Sequence, residues 1–128
     1  SAVATSAYLE LAASAIESKD WDKAAASYAS VAENEGDSPL GYTARLNHAQ
    51  VLMHKGDFAA ARDEFKDLVA DTPAEVVPVI HQQVAEAAVA AGDKAGAIAA
   101  YEAAVASLPP TDKESAAFFR SRIAALKK

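Results

Sequence analysis

The chain has 128 residues, 52% of them hydrophobic, with no cysteine and a formal net charge of -6. That length supports a single domain with a sizeable core, and the missing cysteine excludes disulfides and thiolate sites. The acidity argues against nucleic acid as a partner, and no apolar run reaches the roughly 20 residues that span a membrane.

Alanine, the strongest helix former, dominates the apolar half, so an all-helical chain is predicted. A first helix is expected over residues 3–18, where Tyr8, Leu9, Leu11, Ala12, Ala15 and Ile16 recur at spacings suited to one buried face. Asp20 caps a second, 21–34, and Ser38 followed by Pro39 opens a third, 39–55. Gly56 stops it, and Asp57 caps a fourth, 58–71. Thr72-Pro73-Ala74-Glu75 has capping-box spacing, but Pro78 either kinks the first turn or moves the start of the fifth helix to about 78, with its end at 91. A sixth runs over 94–107 until Pro109-Pro110. Thr111-Asp112-Lys113-Glu114 reads as a second capping box, opening a last helix to 127. Phe119, Ile123 and Leu126 form its apolar stripe. Phe118 lies partly off it and is read as a widening of the core face, with a contact to another subunit as the alternative.

The stretch from Gly56 to Pro73 has variants on both sides: Ala24, Ala61 and Ala97 stand 37 and 36 residues apart. A fixed period of that size marks stacked helical pairs. The middle unit carries Gly56, Asp57, Phe58, Ala61, Phe65 and Pro73. The third carries Gly92, Asp93, Ala97, Tyr101 and Pro109, with Lys94 in place of the turn aromatic. The first carries Trp21, Ala24 and Tyr28, with Lys19 in place of the turn glycine and Pro39 late. This pattern resembles the tetratricopeptide repeat. First-helix positions fit at Tyr8, Leu11 and Ala12 and depart from the family pattern at Arg45, His48, His81 and Ala88.

The resemblance implies an all-α, right-handed solenoid of three antiparallel helix pairs with a seventh capping helix. One domain over 1–128 is expected, with repeats at about 5–38, 42–75 and 78–110 and the cap at about 111–127. Ala12, Ala49, Ala85, Ala24, Ala61 and Ala97 then sit where helices approach closely, while Trp21, Phe58, Tyr28, Phe65 and Tyr101 fill the space between successive pairs.

By the same resemblance, the first helix of each pair lines a concave face, and partner-binding residues are expected at Glu10, Glu17, Leu46, Asn47, Gln50, His54, Gln82, Gln83 and Glu86. Members that grip a C-terminal carboxylate use Lys and Arg with two Asn. Here only Asn47 matches, so that clamp is rejected.

No catalytic, cofactor or metal site is expected. The chain has no Gly-x-Ser-x-Gly elbow or phosphate loop, and Asp20, Asp57 and Asp93 follow the repeat, as caps do. His48 and His54 are six residues apart, about 600° round a helix, and so point in different directions. The reading is a non-enzymatic interaction module or scaffold that holds a peptide or helix segment of a partner protein, with Glu10, Glu17 and Glu86 favouring a basic one.

The alternative is an assembly domain that self-associates weakly through its ends or its capping helix. Residues 1–37 carry seven acids against two bases (-5), and residues 111–128 carry two acids against five bases (+3). The start at Ser-Ala suggests a trimmed fragment. The bacterial habit of Ala-rich repeats behind an N-terminal anchor favours a periplasmic location over a cytoplasmic one.

Overall fold

Short polar side chains open most of the helices by accepting the backbone N–H that lies three residues on. Ser1 takes Ala4 N at 3.1 Å, Asp20 takes Lys23 N at 3.2 Å and Ser38 takes Gly41 N at 3.1 Å. Asp93 takes Gly96 N at 2.9 Å, and Asp112 takes Ser115 N at 3.0 Å. In the computed structural model, which describes residues 1–128, the chain is all-α with no strand. Its helices are α1 (Ala2–Glu17), α2 (Trp21–Glu35), α3 (Pro39–Lys55), α4 (Phe58–Leu68), α5 (Val77–Ala90), α6 (Lys94–Ser107) and α7 (Lys113–Leu126). Trp21, Phe58 and Lys94 head α2, α4 and α6, so the period of 37 and 36 residues survives in the backbone.

The turns within the pairs share one geometry. Gly56 and Gly92 end α3 and α5 with φ of 87° and 78°, a left-handed conformation that glycine adopts without strain. In the first pair Lys19 holds the same place with φ 58°, which costs a side-chain-bearing residue about 1–2 kcal/mol. At the α2–α3 junction Gly41 is buried, and a Cβ there would overlap the carbonyl oxygen of Gly36.

Several boundaries differ from the expectation. The fourth helix stops at Leu68 and tightens into a 3₁₀ turn, Val69–Asp71. The Thr72 hydroxyl donates back to Leu68 O at 2.8 Å rather than capping forward, and α5 starts at Val77 with Pro78 in its first turn. Likewise Asp112, not Thr111, caps α7, one residue later than the predicted box.

The chain divides into two compact units, Ser1–Glu64 and Phe65–Lys128. In the first, α2 packs on both α1 and α3, and a 2.6 Å contact between His48 Nδ1 and Glu64 Oε2 ties α3 to α4. In the second, α6 packs on both α5 and α7. Ala12, Ala24, Ala49, Ala61, Ala85 and Ala97 are all 0% exposed, as the repeat required. Phe65 and Tyr101 are fully enclosed, whereas Trp21, Tyr28 and Phe58 are only half-buried. On α1 the buried residues are Thr5, Ala12 and Ala15, set on one side by their i, i+7 and i+10 spacing. Leu11 and Ile16 fall outside that stripe and are exposed, against the sequence reading. Phe118 is also exposed rather than core, its ring edge resting on Phe119 at 5.7 Å.

Candidate functional site

Asn47, Gln50 and His54 follow one another on α3 at offsets of three and four residues, which places them on one side of the helix. Opposite them stand Ile16 from α1 and Trp21 and Tyr28 from α2. With Val51 these residues enclose a cleft of about 90 Å³. Trp21 and His54 stack across it, with ring centroids 4.6 Å apart and planes 13° from parallel. The apolar flanks of Trp21 and Tyr28 pack on the buried cluster of Ala15, Ala24, Ala25 and Val51, so the aromatic wall rests on the core.

Beside the stack, Lys55 Nζ reaches Asp22 at 2.7 Å and Asp57 at 3.2 Å, joining the start of α2 to the end of α3. Its hydrogen bonds to Asp22 and then to Asp57 hold its pKa above the usual lysine value. The cleft thus combines an aromatic wall with two side-chain amides, each of which both donates and accepts. That chemistry suits a peptide backbone with an apolar side chain beside it.

The structure gathers only part of the predicted set. Glu10 and Glu17 are exposed on α1, and Leu46 is half-buried on α3, all three outside the lining of the cleft. In the second unit Gln82 lines a separate cavity of about 560 Å³ with Glu75, Val79 and Phe119, while half-buried Gln83 and exposed Glu86 do not. Trp21, Tyr28 and Ile16 are cleft residues that the sequence reading did not assign. The repeat pattern places Trp21 and Tyr28 between pairs, and the helical spacing places Ile16 in the core. The available signal was Trp21 itself, a large ring at a helix start that leaves part of its surface outside the core.

The three histidines do not converge. His48 pairs with Glu64, His54 stacks on Trp21 and His81 lies on α5, and no group of three His, Cys, Asp or Glu side chains could hold a metal ion. Burial lowers the His81 pKa below its ordinary 6.5. The unfolded chain is then the better proton acceptor. Stability from this group is whole above about 6.5 and is lost as pH falls through the lower folded value. The urea midpoint of the wild-type chain is expected to drop between pH 7.5 and pH 5, about one unit and more on either side of that value, by more than the midpoint of His81→Gln does. Equal drops would exclude His81 as the source.

No helix is long and apolar enough to cross a membrane. The profile of the family described as tetratricopeptide repeat-like domain matches residues 1–128. None of the curated proteins matches the chain. Among solved structures it is similar to the N-terminal domain of stress-induced protein-1 (STI-1) from C. elegans, with a TM-score of 0.75 and 18% identity over 98% of each chain. It is also similar to the TPR2AB domain of yeast Sti1 in complex with pHSP90, with a TM-score of 0.70 and 15% identity. That match covers 99% of this chain and 47% of the yeast one. At these identities the two structures speak for the fold alone.

Proposed function

The chain belongs to the tetratricopeptide repeat-like family, and from that membership we propose that it is a non-catalytic interaction domain that holds a peptide or helix segment of a partner protein. The observation that carries this reading is the cleft in which Asn47, Gln50 and His54 face Trp21 and Tyr28. A segment lying there receives backbone hydrogen bonds from the two amides and sets an apolar side chain against the rings. The pHSP90 complex of the yeast neighbour supports a protein as the class of ligand. Exposed Glu10, Glu17 and Glu86 favour a basic segment, through the rate of encounter more than through affinity.

The test starts from a partner captured with the wild-type chain, identified and then titrated. Asn47→Ala combined with Gln50→Ala is expected to weaken that partner by about tenfold, as two hydrogen bonds of about 0.5–1.5 kcal/mol each imply. Unchanged affinity, with helicity intact by circular dichroism, would remove the cleft from the account.

A further inference from the structure

We propose that the cleft between α1, α2 and α3 takes a branched aliphatic side chain of its partner, valine, leucine or isoleucine, and turns away aromatic and charged ones, with Ile16 setting the size limit. This specificity rests on the reading above that a partner segment lies in the cleft. Every residue that lines the cleft belongs to the first compact unit, so the site is complete within Ser1–Glu64.

Volume decides among the apolar side chains. The cleft holds about 90 Å³, which is room for about three groups the size of a water molecule or a methyl, at roughly 30 Å³ each. An isopropyl or isobutyl group matches that room. A phenyl ring has six carbons, and a dry protein cavity that binds benzene measures about 150 Å³, so a ring seated here leaves much of its surface in water and gains less from burial. The inner walls are fixed. Val51 is 3% exposed, and Trp21 and Tyr28 pack on the buried cluster that includes it. Ile16 is 39% exposed and is the one aliphatic side chain of the lining outside the core, so shortening it widens the cleft without opening the core.

Charge decides against lysine, arginine and the acids. Asn47 and Gln50 bring neutral amides, and no carboxylate, ammonium or guanidinium group joins the lining. Lys55 and Asp22, next in sequence to His54 and Trp21, are bonded to each other at 2.7 Å. The His54 ring covers one face of Trp21, which closes that face to a cation that would otherwise stack on it. A charged side chain entering the cleft sheds water and finds no opposite charge in its place.

The N-acetyl N-methylamides of valine, leucine, phenylalanine and lysine serve as probes, since each offers peptide groups to the Asn47 and Gln50 amides. Trp21 is the only tryptophan, so its indole N–H gives one signal that reports on the cleft in an NMR titration. The valine and leucine probes are expected to bind best, with the phenylalanine and lysine probes about tenfold weaker, the low end of what one surplus methylene costs in an apolar pocket. In Ile16→Ala, which is three carbons shorter, the phenylalanine probe is expected to overtake the leucine probe. Should that variant lose helicity, Ile16→Val is expected to narrow the gap between the two. A phenylalanine or lysine probe that binds the wild-type chain as tightly as leucine overturns the proposal. So does an order that Ile16→Ala leaves unchanged, or an indole signal that no probe moves. Asn47→Ala combined with Gln50→Ala is expected to weaken all four probes and keep their order. If it weakens all four while the aromatic probe binds best, the cleft stands and only the specificity falls. If it weakens none, the cleft falls and the specificity with it.

Discussion

Replacing Tyr101 by Ala is expected to lower unfolding stability by about 3–5 kcal/mol, a large part of the roughly 5–15 kcal/mol available to a domain. Tyr101 is 1% exposed on α6, and its ring lies 6.0 Å from that of Phe119 on α7. Truncation removes the apolar area and leaves a cavity that the surrounding helices cannot fully close. The seventh helix loses the ring that faces Phe119 at the same time. Phe118→Ala, next to Phe119 but half in solvent, is expected to change stability by no more than about 0.5 kcal/mol. Urea unfolding of the two variants decides the matter, since similar losses would mean that α7 is held by other contacts.

Ala61→Leu is the second large effect, for the opposite reason. Ala61 is 0% exposed and Ala60, its neighbour on α4, is exposed. Three added carbons at Ala61 have no free volume, and overpacking costs about 1–3 kcal/mol, occasionally more. At Ala60 the same carbons project into water and change little. Equal urea midpoints, or a greater loss at Ala60, would contradict the register of α4.

Ala61 also shows why so much of the fold could be read from the chain. A small residue recurring every 36 or 37 positions has one physical cause, close helix approach, and all six alanines assigned to it are sealed from solvent. The capping aspartates are local in the same way, because an Asp before a helix acts on N–H groups three residues away. Where two local signals overlapped, the reading slipped. Thr111 and Asp112 are adjacent cap-formers, and only the backbone of residue 112 takes up the cap position. Leu11, Ile16 and Phe118 were misplaced for another reason, since periodicity marks a helix face without stating how wide a face the neighbours cover. Asn47, Gln50 and His54 lay on a predicted surface, but the pairing of His54 with Trp21 joins residues 33 positions apart, and no spacing rule reaches that far.

The sparing connections between helices carry a consequence for how the chain finds its shape. Within each unit the principal packing partners are helices adjacent in sequence, joined across turns such as Ser18-Lys19-Asp20 and Ala91-Gly92-Asp93. Each step of assembly closes a short loop, so little chain entropy is surrendered before packing returns it, and a pair formed anywhere can template the next. Topologies of this kind fold in microseconds to milliseconds, unlike sheets assembled from distant strands. The main refolding phase in stopped flow is therefore expected to be complete within about milliseconds, with any slower minor phase set by proline isomerisation in the unfolded chain. A main phase lasting seconds would point to an ordering step between distant segments that the helix order does not require.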